Sequence, residues 1–239
     1  MKYERRSSRG GDSPESLHGE GRRTIPVLPN LLCFLLLFTA CTRKDVKMLR
    51  EGTQEGKAGQ YEAALRSFES AIQENPYSAQ AFQGKGYTLE LLGRTDDAMR
   101  AYDHAIDLDT DYPQPWLSKG MLYLKLHQSE NALMAFTRAL QLRPDWDQAH
   151  YEKGLALMRV ERFDDAIEEF TAAMKNGPRL AIVHYGRAEA YLDKGDTTAF
   201  LKDLKEAVSL DTTYAGKAAA DSSLAGMREN PEFRRVISR

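Results

Sequence analysis

The chain repeats itself every 34 residues, and a period of that length leaves little choice of architecture. Gly52, Gly86, Gly120 and Gly154 stand 34 residues apart, and Ala188 takes the fifth place. Ala64, Ala98, Ala132 and Ala166 keep the same step, with Phe200 fifth. A third column is Phe68, Tyr102, Phe136, Phe170 and Leu204, and a fourth is Ala71, Ala105, Ala139, Ala173 and Ala207. Pro76, Pro144 and Pro178 form a fifth column, interrupted by Thr110 and Thr212. The columns stay in phase over five units without an insertion. A unit this short cannot bury an apolar face alone, so successive units must stack on one another.

Within a unit the apolar residues recur at steps of three and four, as in Ala64, Phe68, Ala71 and Ile72, which is helical spacing. Each unit therefore reads as two helices, at about 46–58 and 61–74 in the first. Glycine and alanine let the paired helices approach closely, and the aromatic column fills the space between them. Asn75-Pro76 is expected to be a cap followed by proline at the first helical position of the next unit. Asp96-Asp97 and Asp164-Asp165 open second helices, where the helix dipole favours negative charge.

This pattern resembles the tetratricopeptide repeat. A bulky entry column also fits, running Met48, Phe82, Trp116, His150 and His184, while Lys85, Lys119, Lys153 and Arg187 stand where the family often has leucine. The resemblance implies an all-α fold, an α-α superhelical solenoid of five tetratricopeptide repeats. Their expected bounds are about 46–78, 79–112, 113–146, 147–180 and 181–212. Residues 213–239, alanine-rich and then Asn230-Pro231-Glu232-Phe233, are expected to be a C-terminal capping segment with a helix that covers the last repeat.

The amino terminus carries a different message. Arg22 and Arg23 precede the apolar stretch Leu31–Cys41, which ends in small residues, and that order is the layout of a secretory signal over residues 1–40. The stretch is shorter than the roughly 20 apolar residues that span a bilayer, and Pro26, Pro29 and Asn30 prevent its extension. Its end, Phe38-Thr39-Ala40-Cys41, resembles the bacterial lipobox, which implies that Cys41 is lipidated and that 41–45 is a short tether. An ordinary signal peptide with an incidental cysteine is the alternative. The polar leader of residues 1–21 is long for such a signal, as a misassigned start would make it. Thr42 rather than aspartate after the cysteine implies sorting to the outer membrane, facing the periplasm, under the rule of enteric bacteria.

Function classes narrow accordingly. Net charge is −2, and residues 1–40 carry six basic and four acidic residues, so their removal leaves −4. No basic excess points to nucleic acid. Cys33 and Cys41 are the only cysteines, so the body has neither a disulfide framework nor a thiol nucleophile nor a cysteine metal site. His104, His127, His150 and His184 lack the further ligands that a metal site needs, and His150 and His184 read as packing residues in the entry column. No nucleophile elbow, HExxH or phosphate loop appears, so neither an enzyme nor a cofactor is expected.

What the resemblance implies instead is binding of a protein or peptide in the concave groove lined by the first helices. The residues expected there are Gln80, Gln83 and Tyr87, then Gln114, Leu117, Met121 and Leu124, then Gln148, Tyr151, Leu155 and Met158, then Tyr185 and Glu189. Tyrosine, methionine and glutamine offer apolar contact with adaptable hydrogen bonds. The lysine, arginine and asparagine set with which chaperone-binding members hold a peptide carboxylate is missing. The chain is thus expected to be a lipid-anchored interaction scaffold of the bacterial envelope. Stacking of sugars on Tyr87, Tyr151 and Tyr185, in a binder of cell-wall glycan or another small ligand, is the alternative.

Overall fold

A computed structural model describes residues 44–175 and 180–238. The signal segment, Cys41 and Pro178 lie outside the described residues. Twelve α-helices and no strand occur among the described residues. In the first repeat α1 spans 44–57 and α2 spans Tyr61–Glu74. Three more pairs follow: α3 (Ala79–Leu91) with α4 (Thr95–Leu108), α5 (Pro113–Lys125) with α6 (Ser129–Leu142), and α7 (Asp147–Arg159) with α8 (Phe163–Ala173). The fifth pair is α9 (Leu180–Asp193) with α10 (Thr197–Leu210), and α11 (Thr213–Ala220) and α12 (Pro231–Ile237) close the described chain.

The turn inside each repeat is built the same way five times. Gly59, Gly93, His127, Glu161 and Gly195 all have positive φ, between 58° and 91°. This is the left-handed residue that ends a helix and satisfies its last carbonyls. Glycine meets the requirement without strain, and His127 and Glu161 meet it with a side chain in the way.

Stacking follows from the columns. Phe68, Tyr102, Phe136, Phe170 and Leu204 are all buried, as are the alanines at 64, 98, 132 and 166 and at 71, 105, 139, 173 and 207. Each aromatic ring lies against a glycine of the preceding helix. A Cβ added to Gly86 would lie 2.6 Å from the Tyr102 ring, and one added to Gly154 would lie 2.7 Å from Phe170. Where the column carries Ala188, the residue opposite is Leu204, and both are fully buried. The smaller partner makes room for the extra methyl.

The basic residues in the leucine column find carboxylates instead of the core. Lys85 pairs with Glu69 at 2.9 Å and Lys119 with Asp103 at 2.5 Å, each reaching back to the preceding repeat. Lys153 pairs with Glu169 and Arg187 with Asp203, both at 2.7 Å and both within their own repeat.

Two local expectations are corrected. Asn75 ends α2, and Pro76 sits in the turn, because α3 begins only at Ala79 with Ser78 accepting from the Ala81 amide. Asn75 Oδ1 accepts from the Tyr77 amide while its Nδ2 donates to Asp45 at 2.9 Å. Proline does take the first helical position at Pro113. His150 and His184 do more than pack. His150 Nδ1 lies 2.6 Å from Glu169 and its Nε2 lies 2.9 Å from the Pro144 carbonyl, and His184 Nδ1 lies 3.1 Å from Asp203.

The terminal segment covers the last repeat with apolar contacts. Leu224, Met227, Phe233 and Val236 are buried in one cluster with Phe200 and Leu204. The Phe233 ring stacks on Phe200 at 6.1 Å between centroids.

Candidate functional site

The first helices of successive repeats touch one another directly, α3 with α5, α5 with α7 and α7 with α9. Their inner sides therefore form one continuous surface. Positions 34 apart fall in line along it because each repeat is related to the next by the same step.

Two clefts open on this surface. One of about 350 Å³ is lined by Gln83, Tyr87 and Glu90 of α3, by Gln114, Leu117, Ser118 and Met121 of α5, and by Gln148 of α7. It brings together six of the thirteen residues expected at the groove: Gln83, Tyr87, Gln114, Leu117, Met121 and Gln148. Tyr87 is half exposed at the rim and Leu117, almost fully buried, forms the floor. Glu90 is tied down, because it accepts the Tyr102 hydroxyl at 3.0 Å and pairs with Lys125. The lining presents amides, a phenol and apolar surface, with its one carboxylate already paired.

The other cleft, of about 560 Å³, lies between α1 and α3. Gln80 and Gln83 line it together with Val46, Leu49, Arg50, Thr53, Gln54 and Lys57, so Gln83 is shared by both clefts. The α1 residues were absent from the sequence expectation. They could have been found by taking the inner-face columns one period earlier, since Val46, Leu49 and Thr53 stand 34 residues before Gln80, Gln83 and Tyr87.

The remaining expected residues fall differently. Tyr151, Leu155 and Met158 are half-buried and pack against the core of the third and fourth repeats. Leu117, Leu124 and Tyr185 are all buried, with 1%, 6% and 2% of their surface exposed; Leu117 lines the first cleft, while Leu124 and Tyr185 line neither, which corrects the expectation that those two face a partner. Leu124 belongs to the core of the third and fourth repeats, and Arg159 donates to its carbonyl at 2.6 Å. Tyr185 is covered by α11: the Tyr214 ring lies 5.1 Å from its own, and the Lys217 ammonium lies 4.4 Å above it. Glu189, half-buried beside Tyr185, is pushed up to about 7 by burial, against the pull of Lys217.

On the opposite side, His150, Lys153 and Glu169 form a charged cluster between α7 and α8. The hydrogen bond that its Nδ1 donates to Glu169 raises His150 above its ordinary range. Burial works to raise the Glu169 carboxyl, but the hydrogen bonds from His150 and Lys153 outweigh it and hold the carboxyl low. Among the described residues no group of three or more His, Cys, Asp or Glu side chains is placed to hold a metal ion. None of the described helices is long and apolar enough to cross a membrane.

A stack of helix pairs of this kind defines an α-helical repeat protein. The tetratricopeptide-repeat family model matches residues 49–113 and 151–216, and a second model of the same repeat matches 113–145. The chain belongs to the tetratricopeptide-repeat family. Solved structures share its fold. MamA has a TM-score of 0.62 at 20% identity, covering 73% of this chain and 96% of its own. YrrB, described as a TPR protein with an unusual peptide-binding site, has a TM-score of 0.61 at 20% identity and covers 77% and 97%. TTC0263, a thermophilic TPR protein of Thermus thermophilus, has a TM-score of 0.58 at 23% identity and covers 72% and 97%. At these identities the likeness is one of fold. A search of the curated proteins finds no match.

Proposed function

We propose that this protein is a non-catalytic interaction scaffold of the bacterial envelope, which holds an extended segment of a partner protein along its first helices. The supporting observation is the cleft that spans α3, α5 and α7. Its floor is apolar and its sides carry Gln83, Gln114 and Gln148, whose amides can donate and accept along a peptide main chain. A fold shared with YrrB, described as having a peptide-binding site, is consistent with this use of the surface. The lipobox-like ending at Cys41 supports tethering to a membrane, and Thr42 supports the outer one, facing the periplasm. The glycan reading has less to work with, because Tyr185 is buried and Tyr151 packs against the core.

The test is a partner recovered from envelope extracts and remade pure. Its affinity should fall about tenfold or more in the double variant Tyr87→Ala, Met121→Ala, with helical content unchanged. It should also change little between about 0.1 and 1 M salt, since the cleft has no free charge to screen. Full affinity in the double variant, or binding that salt abolishes, refutes the reading.

A further inference from the structure

We propose that the cleft between α1 and α3 recognises acidic side chains, so that the partner segment carries aspartate or glutamate where it crosses α1. The inference rests on the peptide-binding reading above and names what one end of the groove selects.

The α1 helix carries four basic residues, Lys44, Lys47, Arg50 and Lys57. Two of them are engaged within the protein, Lys44 with Glu74 and Lys47 with Glu51 at 3.6 Å. The other two, Arg50 and Lys57, line the cleft of about 560 Å³, and both are exposed. Their side chains have no hydrogen bond or ion pair among the described residues. No carboxylate among the described residues lines the cleft with them. The other two acidic residues of α1 are held elsewhere: Asp45 accepts from Asn75 Nδ2 at 2.9 Å, and Glu55 accepts the Ser67 hydroxyl at 2.6 Å. A cleft with two cations and no counter-ion of its own has a positive potential that draws an anion from outside.

The uncharged lining suits a carboxylate. Gln54, Gln80 and Gln83 offer amide donors for the oxygen that a cation leaves free. Arg50 and Lys57 are seven residues apart, two turns and about 10 Å along the helix axis, so each can take its own carboxylate. Gln83 belongs to both clefts, so a segment seated on Leu117 and Met121 of the neutral cleft runs on into the basic one. The cations line a concavity, which a peptide side chain enters and a flat anionic bilayer does not follow.

The probes are two leucine- and glutamine-containing peptides, acetylated and amidated at their ends, that differ at two positions near one end. One has glutamate there and the other its isostere glutamine, so side chains are the only carboxylates present. With the full-length protein at about 0.1 M salt, the glutamate peptide should bind about two- to fivefold more tightly, as for exposed ion pairs. At about 1 M salt the preference should vanish and the binding common to both peptides should remain. Arg50→Gln with Lys57→Gln should abolish the preference. Lys202→Gln with Lys205→Gln, the same loss of charge at exposed positions of α10, should leave it unchanged. The partner recovered from envelope extracts should lose the same two- to fivefold in the Arg50, Lys57 variant only. Equal binding of the two peptides, a preference that survives Arg50→Gln with Lys57→Gln, or an unchanged partner affinity overturns the subsite while leaving the groove intact. Loss of binding to phosphatidylglycerol vesicles in that variant, with the peptide preference unmoved, overturns it in favour of a membrane role. If neither peptide binds and the partner is indifferent to Tyr87→Ala with Met121→Ala, the groove reading falls and the subsite with it.

Discussion

Gly120→Ala should destabilise this protein although alanine is the better helix former. The methyl would point at Phe136, with the ring's Cδ1 at 2.6 Å and Cζ at 2.9 Å. Ordinary van der Waals contact begins near 3.4 Å, so the ring or the helix must give by most of an ångström. Phe136 has no exposed surface and is packed among Ala132, Ala139 and Phe170, so the ring has nowhere to retreat. Overpacking of this kind costs about 1–3 kcal/mol, against a helix-propensity gain of about 1 kcal/mol. A control isolates the first term. Gly216→Ala in α11 has open space around the new Cβ and should give only the gain. The difference between the two variants is then the packing cost, about 1–3 kcal/mol. In a domain of this size that is roughly 2–4 °C of melting temperature per kcal/mol. The fifth repeat supplies a rescue, since Ala188 lies opposite Leu204 there. Gly120→Ala with Phe136→Leu should therefore cost less than the sum of the two single changes, a coupling readable from urea midpoints. If Gly120→Ala stabilises as much as Gly216→Ala, or the double variant is simply additive, the helices do not approach as argued.

Three further outcomes are expected. His127→Gly should stabilise by about 0.5–1 kcal/mol, because it relieves the one histidine held at positive φ (58°) in the turn column; a lower melting temperature would contradict this. The His150–Glu169 pair should make stability peak in mildly acid solution. His150 is raised, so its contribution is complete below its ordinary value of 6.5 and fades as pH climbs through the folded value. Glu169 is held low, so its contribution is present above 4.5 and fades as pH falls through the folded value. Glu169→Gln should flatten both limbs of a urea-midpoint profile and return the His150 ring titration, followed by NMR, towards 6.5. Finally, Cys41→Ser should leave an unprocessed precursor without acyl label, and efficient palmitate labelling of that variant would rule out lipidation there.

The period of 34 residues by itself determined that the body is a stack of helix pairs and that the residues of its repeated columns are buried. Phe136 and Ala139 could be placed in the core from the sequence because their columns repeat, and a repeat has only one way to bury the same position five times. Asn75-Pro76 misled because a local signal for a helix start can serve equally in the turn before one. The left-handed turn position could have been read from Gly59, Gly93 and Gly195 but not from His127 and Glu161, which take the same backbone without being glycine. Whether an inner-face side chain meets a partner or the protein itself was decided only in three dimensions. Leu117 and Leu124 are two turns apart on α5 and both belong to the buried core, yet Leu117 also lines a cleft and Leu124 lines neither. Tyr185 sits in the same column as Tyr151, but it ends the array, and α11 folds back to lay Lys217 on its ring. The period specifies how one repeat meets the next. At the last repeat no next one exists, so the contacts there come from chain that the period does not describe.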